Sequence, residues 1–407
     1  MNIRLLFVVA SLATVVSASC TQQGPTGSQV ADTKPAPATP AINTKALAEK
    51  LVKSAAVKEG DVVLVSGGIK DWPLIEDLAV EIRKAGAFPL VNPSTEQLTR
   101  RLVDEVPAKY DVQPPTLGLK LTEIANVVIT LDFIEHNDLM AGIPQERQAA
   151  QAAAAQPVAE LARKRSQRTL NLGNGLLPTP STASDFGVTQ ESLAEIYWAG
   201  INTDYDKLQA VALAVSKTLA SGKRVRITNP NGTDLTVEIA GRPVFASDGV
   251  ISEDDIKRGG AGVQVWLPAG EVYLAPVPGT AEGKVVADHY FYQGKTIQKL
   301  ELTFARGKLT SMTAASGLEP LKAAYDAYGP GKEDFGFVDF GINPDVHLAP
   351  GSRMVAWMPA GMVTVGTGNN LWAGGSNSNG FQLNPFLPGS TVEIDGKPLV
   401  KDGKLTQ

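Results

Sequence analysis

The chain has 407 residues, of which 43% are apolar and 19% are charged, and its formal net charge is −5. This composition supports a large buried core and excludes long disorder over most of the chain. A single cysteine excludes an intrachain disulfide framework and a cysteine zinc site, and three histidines argue against chemistry that needs several histidines close together. Because the only strongly basic run covers residues 163–165, we expect no nucleic acid partner.

The N-terminus has the pattern of a signal peptide. A short basic segment ending at Arg4 precedes an apolar stretch over residues 5–16. That stretch has the length of a signal-peptide core and is too short to span a bilayer. We therefore predict a signal peptide over residues 1–19.

The predicted signal peptide ends beside the only cysteine of the chain. Residues 17–20 read SASC and resemble a lipobox, the cleavage site of bacterial lipoproteins, with Ser17 where leucine is usual. We expect Cys20 to carry lipid, and residues 20–43, rich in Pro, Thr and Ala, to form a flexible tether. The protein is then anchored in a bacterial cell envelope, and Thr21 is typical of sorting to the outer membrane where the cell has one. A secretory signal with an incidental cysteine is the alternative.

Hydrophobic patterning predicts an α/β domain over residues 44–185. The predicted elements are, in chain order, helix 45–57, strand 62–65, helix 74–85, strand 88–91 and strand 127–131. This βαβ order is typical of an open, mostly parallel sheet. An alanine-rich helix follows over residues 145–168, interrupted or started at Pro157.

A β-rich α+β domain is predicted over residues 186–407. Its first elements are helices, at residues 189–198 and 207–220. From Lys223 onward short alternating strands dominate, beginning with a hairpin that turns at Asn231-Gly232. One further helix is predicted near residues 317–328.

The most distinctive segment, residues 267–276, reads LPAGEVYLAP. It resembles the P-x-G-E-V-F-x-A-P segment of the aminopeptidase T / aminopeptidase S family of metallo-aminopeptidases, in which the glutamate binds metal. Further matches to this family's motifs stand, in chain order, at residues 58–65, 231–236, 302–308, 338–344 and 392–396. The resemblance covers about residues 45–405. It implies a two-domain peptidase that releases N-terminal residues from peptides, forms a homodimer and holds two metal ions per site.

The resemblance places metal ligands at two positions. Glu271 stands at the first ligand position, and Asp339 stands at the second with a side chain one methylene shorter. At the family's remaining glutamate, histidine and aspartate positions stand Pro359, Thr364, Gln382 and Asn384. No histidine follows His347, so no shift of register restores one.

Two carboxylates offset only half the charge of two dications. Dications about 3.5–4 Å apart repel each other strongly unless carboxylates bridge them. The resemblance implies that the metal is zinc, cobalt or manganese. The remaining oxygen ligands instead favour calcium or magnesium. A third possibility is that the site binds no metal. Without a metal no water is acidified, and hydrolysis loses its nucleophile.

We therefore predict a lipid-anchored envelope protein with the body of a metallo-aminopeptidase. It would bind a peptide or small-molecule ligand among the replaced ligand positions, with weak or lost hydrolysis. One alternative is an active metal-dependent aminopeptidase with a rearranged site using Glu271 and Asp339. Another is a structural envelope protein. A third carboxylate or His347 beside the pair would favour the active enzyme, and a filled cavity would favour the structural protein.

Overall fold

The computed structural model describes residues 43–406. The predicted signal peptide, Cys20 and all of the predicted tether except Asn43 lie outside the described residues. Within residues 43–406, no helix combines the length and the apolar character needed to cross a membrane.

Ten α-helices are found in the described part of the chain. They are α1 Thr44–Ser54, α2 Trp72–Lys84, α3 Glu96–Asp104, α4 Thr116–Ile124, α5 Gln145–Lys164, α6 Pro180–Phe186, α7 Gln190–Ile201, α8 Tyr205–Ser221, α9 Glu253–Arg258 and α10 Glu319–Ala327. Side-chain caps explain several starts: Asp204, for example, accepts from the main-chain N–H groups of Asp206 and Lys207 at the start of α8. Pro157 does not interrupt α5, in contrast to the expectation, and α3, α4, α6 and α9 were not predicted.

The strands form three sheets. In chain order they are β1 Val62–Gly68, β2 Phe88–Ser94, β3 Val127–Leu131, β4 Arg168–Leu172, β5 Arg224–Asn229, β6 Thr233–Glu238, β7 Phe245–Ser247, β8 Gln264–Leu267, β9 Glu271–Leu274, β10 Glu282–Tyr292, β11 Lys295–Ala305, β12 Lys308–Thr313, β13 Phe335–Gly341, β14 Val363–Gly368, β15 Gln382–Leu383, β16 Thr391–Ile394, β17 Lys397–Lys401 and β18 Lys404–Leu405.

The first sheet is wholly parallel, in the order β2-β1-β3-β4-β8. Its inner strands are runs of buried branched residues, such as residues 63–65 and 127–129, because both faces of a parallel sheet are covered. The last strand, β8, arrives only after the β5–β6 hairpin. The parallel sheet thus includes one strand from beyond residue 186. The predicted domain boundary between residues 185 and 186 stays a prediction.

The other two sheets are antiparallel. The second sheet has the order β12-β11-β10-β6-β5-β16-β17-β18, and the third sheet has the order β15-β14-β13-β9-β7. The predicted fold class, an open parallel α/β part followed by a β-rich α+β part, is confirmed. Strand β9 follows β8 after only three residues, so the chain passes directly from the parallel sheet into the third sheet.

Candidate metal and ligand site

The third sheet brings Glu271 and Asp339 onto one face. In the β9–β13 pair, Glu271 lies opposite Gly341 and Asp339 lies opposite Tyr273. Residues directly opposite each other, and those two apart along a strand, share a face of the sheet. The two carboxylates are therefore on diagonal neighbours of adjacent strands, a relationship in which the residues lie about 7–8 Å apart and their Cβ atoms somewhat closer. Both side chains are buried, with 0% and 1% exposure.

Three of the replaced ligand positions fall on the same face. Thr364 lies opposite Asp339 in the β13–β14 pair, and Gln382 lies opposite Gly368, four residues further along β14. A bridge between Thr364 and Phe386 continues this register, so strand alternation puts Asn384 on that face as well. We call this face, with Glu271, Asp339 and these three residues, the ligand face.

Pro359 lies apart from that alternation, in the buried loop before β14, where it bridges to Asn343. Thr364 is almost fully buried, and within residues 43–406 its hydroxyl has no hydrogen-bond partner. The same holds for the side-chain nitrogen of Gln382. By the resemblance, Pro359 stands where the family has a glutamate, and Thr364 and Gln382 stand where it has histidines. None of the three supplies the thiolate, imidazole or carboxylate ligands that zinc prefers.

An aromatic cluster packs over the ligand face. Tyr273 and Phe337, on this face, have ring centroids 5.1 and 4.7 Å from Trp372. Trp266 packs against Tyr273 at 5.3 Å, and Trp357 packs against Phe337 at 6.0 Å. All five side chains are buried. Apolar rings therefore occupy the space beside the two carboxylates.

Glu271 is held by a residue from the parallel sheet. Asn174, in the turn after β4, donates its side-chain amide to the Glu271 carboxylate at 2.6 Å and to the Pro268 carbonyl at 2.9 Å. The main-chain N–H of Asn174 donates to Asn171 Oδ1 at 3.0 Å, and the Asn171 amide donates to Asp132 at 2.7 Å. A chain of polar side chains thus links Asp132, at the end of β3, to Glu271.

Asp132, at the other end of this chain of polar side chains, has a raised pKa. Burial raises the pKa of Asp132 to about 6, although hydrogen bonds from the Asn171 amide and the Gly175 main-chain N–H oppose the rise. Gly173 lies so close that a Cβ there would be 2.2 Å from Asp132 Oδ2. Sequence reasoning treated residues 173–175 only as a break in the chain. An asparagine between two glycines after a parallel strand is the signal that could have identified Asn174.

The three histidines do not complete a metal site on the ligand face. His347 is exposed in the loop after β13, and His136 is exposed and bonded to Glu96 at 2.7 Å. His289, on β10, lines a cavity of about 30 Å³ together with Asn384. Sequence reasoning expected His289 at a packed strand position and missed this cavity, because its other walls come from distant segments.

The residues present do not fit the two-metal centre that the resemblance implies. Among residues 43–406, no group of three or more His, Cys, Asp or Glu side chains lies close enough to hold a metal ion. Glu271 and Asp339 would be the protein's ligands to a single hard cation, and the next positions supply a threonine, two amides and a proline. Such a pair lacks the bridging carboxylates that two dications need.

The fold matches those of two solved enzymes. Wild-type AmpT from Thermus thermophilus superposes with a TM-score of 0.69 at 19% identity, over 90% of this chain and 99% of that one. A 2,5-dihydroxypyridine dioxygenase from Pseudomonas putida KT2440 gives a TM-score of 0.59 at 15% identity, over 91% of this chain and 98% of that one. At these identities the likeness shows a shared fold. No curated protein matches the chain.

A family model described as thermophilic metalloprotease (M29) matches residues 42–328. The match includes Glu271 and ends before Asp339, so the altered ligand positions lie beyond it. It covers well over half of the chain and confirms the resemblance derived from the motifs. The chain therefore belongs to the M29 family of thermophilic metalloproteases, the family of aminopeptidases T and S.

Proposed function

We propose that this chain is a lipid-anchored protein of the bacterial cell envelope that binds a peptide or a related small ligand, with weak or lost hydrolysis. The observation that carries the proposal is the ligand face, where Glu271 and Asp339 remain but Thr364, Gln382 and Asn384 replace metal ligands. Family membership supports a peptidase-like body. The fold alone does not decide the reaction, since it also serves the dioxygenase.

The cellular setting is part of the same proposal. The apolar segment over residues 5–16 and Cys20 support export and lipid anchoring, in the outer membrane where the cell has one. We expect the body to lie outside the cytoplasm and to form a homodimer, as the resemblance implies. The acidic net charge supports a peptide or small-molecule partner over nucleic acid.

An active metal-dependent aminopeptidase is the second candidate. It is favoured by one observation, that Glu271 and Asp339 share a face on adjacent strands. A single ion held by both could still polarise a carbonyl and lower the pKa of a bound water. The buried aromatic cluster beside the pair argues against it, because a peptide substrate needs open space there. That packing equally supports the third candidate, a structural envelope protein.

Metal retention separates the candidates. The full-length chain would be purified in detergent without chelator, soaked separately in zinc, cobalt, manganese and calcium, desalted, and assayed for bound metal. Glu271→Gln removes a buried carboxylate, and Glu160→Gln, on the exposed side of α5, is its control. In parallel, binding and cleavage of the peptide Phe-Ala-Ala-Ala would be measured.

We expect peptide binding without stoichiometric metal and without release of the first residue. Stoichiometric metal that is lost in Glu271→Gln and kept in Glu160→Gln, with release of phenylalanine, would establish the active enzyme instead. A folded chain that binds neither metal nor peptide would support the structural protein.

A further inference from the structure

We propose that the crevice lined by Asp185, His289 and Asn384 binds an organic ammonium group, namely the amino terminus of a peptide whose first residue is apolar. The assignment to a peptide rests on the function proposed above. The inference adds where the ligand binds and which of its groups is recognised. Neither Asp185 nor His289 is a ligand position of the family motifs.

The crevice lies at the outer end of the ligand face. Asn384 and Phe386 belong to the segment after β15 that continues the register of this face. Trp357 packs edge-on against Phe386 at 5.0 Å, so the aromatic cluster ends there. Beyond it, a cavity of about 30 Å³ remains between this segment, α6 and β10. That volume holds one or two water molecules, or an ammonium group.

Asp185 supplies the negative charge of the crevice. Its carboxylate accepts from the Asn137 amide at 2.7 Å. The guanidinium of Arg353 donates to the main-chain oxygens of Asp185 and Ser184, at 3.0 and 3.1 Å. Within the described chain, the Asp185 carboxylate takes part in no ion pair. A cationic group entering the crevice would therefore find a carboxylate that is still available for pairing.

Two further acceptors line the same cavity. The Nδ1 atom of His289 is buried and has no hydrogen-bond partner among residues 43–406. The amide of Asn137 donates to Asp185, which identifies its other end as a carbonyl oxygen that can accept. In the tautomer that leaves His289 Nδ1 unprotonated, a carboxylate, an imidazole nitrogen and a carbonyl together match the three N–H donors of a primary ammonium group. An anion would meet the Asp185 carboxylate unfavourably.

Aromatic rings form the remaining walls. Phe186, on α6, and Phe291, on β10, meet edge-to-face at 5.8 Å, and Phe386 lines the same cavity. Ring faces attract cations and also bury apolar side chains. The cavity of about 30 Å³ takes only the ammonium group, so the apolar residue attached to it would lie at the opening, beside the rings.

The test uses phenylalanine amide, which carries an ammonium group, and N-acetyl-phenylalanine amide, which does not. Binding to the full-length chain in detergent would be measured by titration calorimetry, beside binding of the peptide Phe-Ala-Ala-Ala. The variant Asp185→Asn removes the charge in the crevice. Asp288→Asn removes an exposed charge next to His289, on the opposite face of β10, and is the matched control. His289→Gln is the second variant.

We expect phenylalanine amide to bind, with affinity reduced about tenfold or more by Asp185→Asn and unchanged by Asp288→Asn. His289→Gln should weaken binding less, and the acetylated amide should not bind. Equal binding of the two amides, or equal effects of Asp185→Asn and Asp288→Asn, would overturn the inference. If the tetrapeptide binds and its affinity is unchanged by Asp185→Asn, the crevice is not its binding site, and the proposed function stands. If phenylalanine amide binds as expected and the tetrapeptide does not, the crevice is an ammonium site, and the proposal that the protein binds peptides is wrong.

Discussion

The side-chain amide of Asn174 donates to the carboxylate of Glu271 across 2.6 Å, and both residues are buried. Asn174 follows β4 of the parallel sheet, whereas Glu271 begins β9 of the third sheet. Asn174 also has a positive φ of 43°, which asparagine tolerates better than most residues. This bond therefore joins two sheets and fixes the orientation of the retained carboxylate.

Replacing Asn174 by glycine keeps the left-handed backbone accessible and removes the amide. We expect the free energy of unfolding to fall by about 2–3 kcal/mol, because a buried carboxylate loses a donor. Urea unfolding of Asn174→Gly, Glu271→Gln and the double variant would measure the coupling. The cost of Asn174→Gly should shrink by at least about 1 kcal/mol in the Glu271→Gln background. Equal costs in both backgrounds would contradict a direct interaction.

Gly173 makes the close approach that lets this turn form. Its φ is 142°, and a Cβ would lie 2.2 Å from Asp132 Oδ2. Gly173→Ala should therefore lower the unfolding free energy by about 3 kcal/mol or prevent folding, through strain and overlap together. Gly187→Ala is the control, since Gly187 also has positive φ, 72°, but a Cβ added there would meet no other atom within 4 Å. That variant should cost only about 1 kcal/mol. Similar urea midpoints for both variants would show that the overlap at Gly173 is relieved at no cost.

Asp132 should make the stability of the protein depend on pH. Burial raises its pKa from 3.8 to about 6, so the folded state binds more protons than the unfolded state between these values. Its contribution to stability is then complete below pH 3.8 and is lost as the pH rises through about 6. In thermal melts from pH 4 to 7, Asp132→Asn should flatten this fall in melting temperature. An unchanged slope in the variant would assign the pH dependence to other groups.

Several elements could be predicted from sequence for local reasons. Residues 62–65 of β1 and the whole of β3 are uninterrupted runs of branched residues, and Gly86 follows the end of α2, so the pattern alone located these elements. Glu271 and Asp339 could be paired because their motifs resemble those of a known family. Their common face then follows from antiparallel register.

The packing of aromatic side chains over the ligand face could not be predicted from local sequence patterns. Trp266, Trp357 and Trp372 come from separate segments, and nothing local to any of them indicates that their rings meet. The crevice was missed for the same reason, since α6, β10 and the segment after β15 are joined only by tertiary packing. Pro157 was expected to interrupt or start a helix, but it lies exposed within the continuous 20-residue helix α5.

Lipid anchoring predicts a specific result for Cys20. When the full-length chain is expressed in a bacterium, the protein should fractionate with membranes and its mature N-terminal peptide should carry the mass of acyl chains. Cys20→Ala should release the protein from the membrane fraction, because the lipid on Cys20 is expected to be the main source of membrane affinity in the unaltered chain. Ser19→Ala keeps a small residue before the cysteine and should leave fractionation unchanged. Membrane association that survives Cys20→Ala would contradict the lipoprotein prediction.

Thr364 tests whether the ligand face has become part of the core. Its hydroxyl is buried opposite Asp339 and has no hydrogen-bond partner among residues 43–406, so valine of similar shape removes only a desolvated polar group. We expect Thr364→Val to leave the unfolding free energy unchanged or to raise it by up to about 1 kcal/mol.

Thr233 provides the contrast, since it is also buried but its hydroxyl donates to Asn231 Oδ1 at 3.0 Å and accepts from the Val286 N–H at 2.9 Å. Thr233→Val should cost about 1–3 kcal/mol, because it leaves the buried Val286 N–H without an acceptor, whereas the Val286 carbonyl still accepts from the Asn231 amide at 2.8 Å. If urea unfolding shows Thr364→Val to be as costly as Thr233→Val, the Thr364 hydroxyl has a partner in solution. The ligand face would then hold bound water or ligand, and the interpretation of this face as packed core would be wrong.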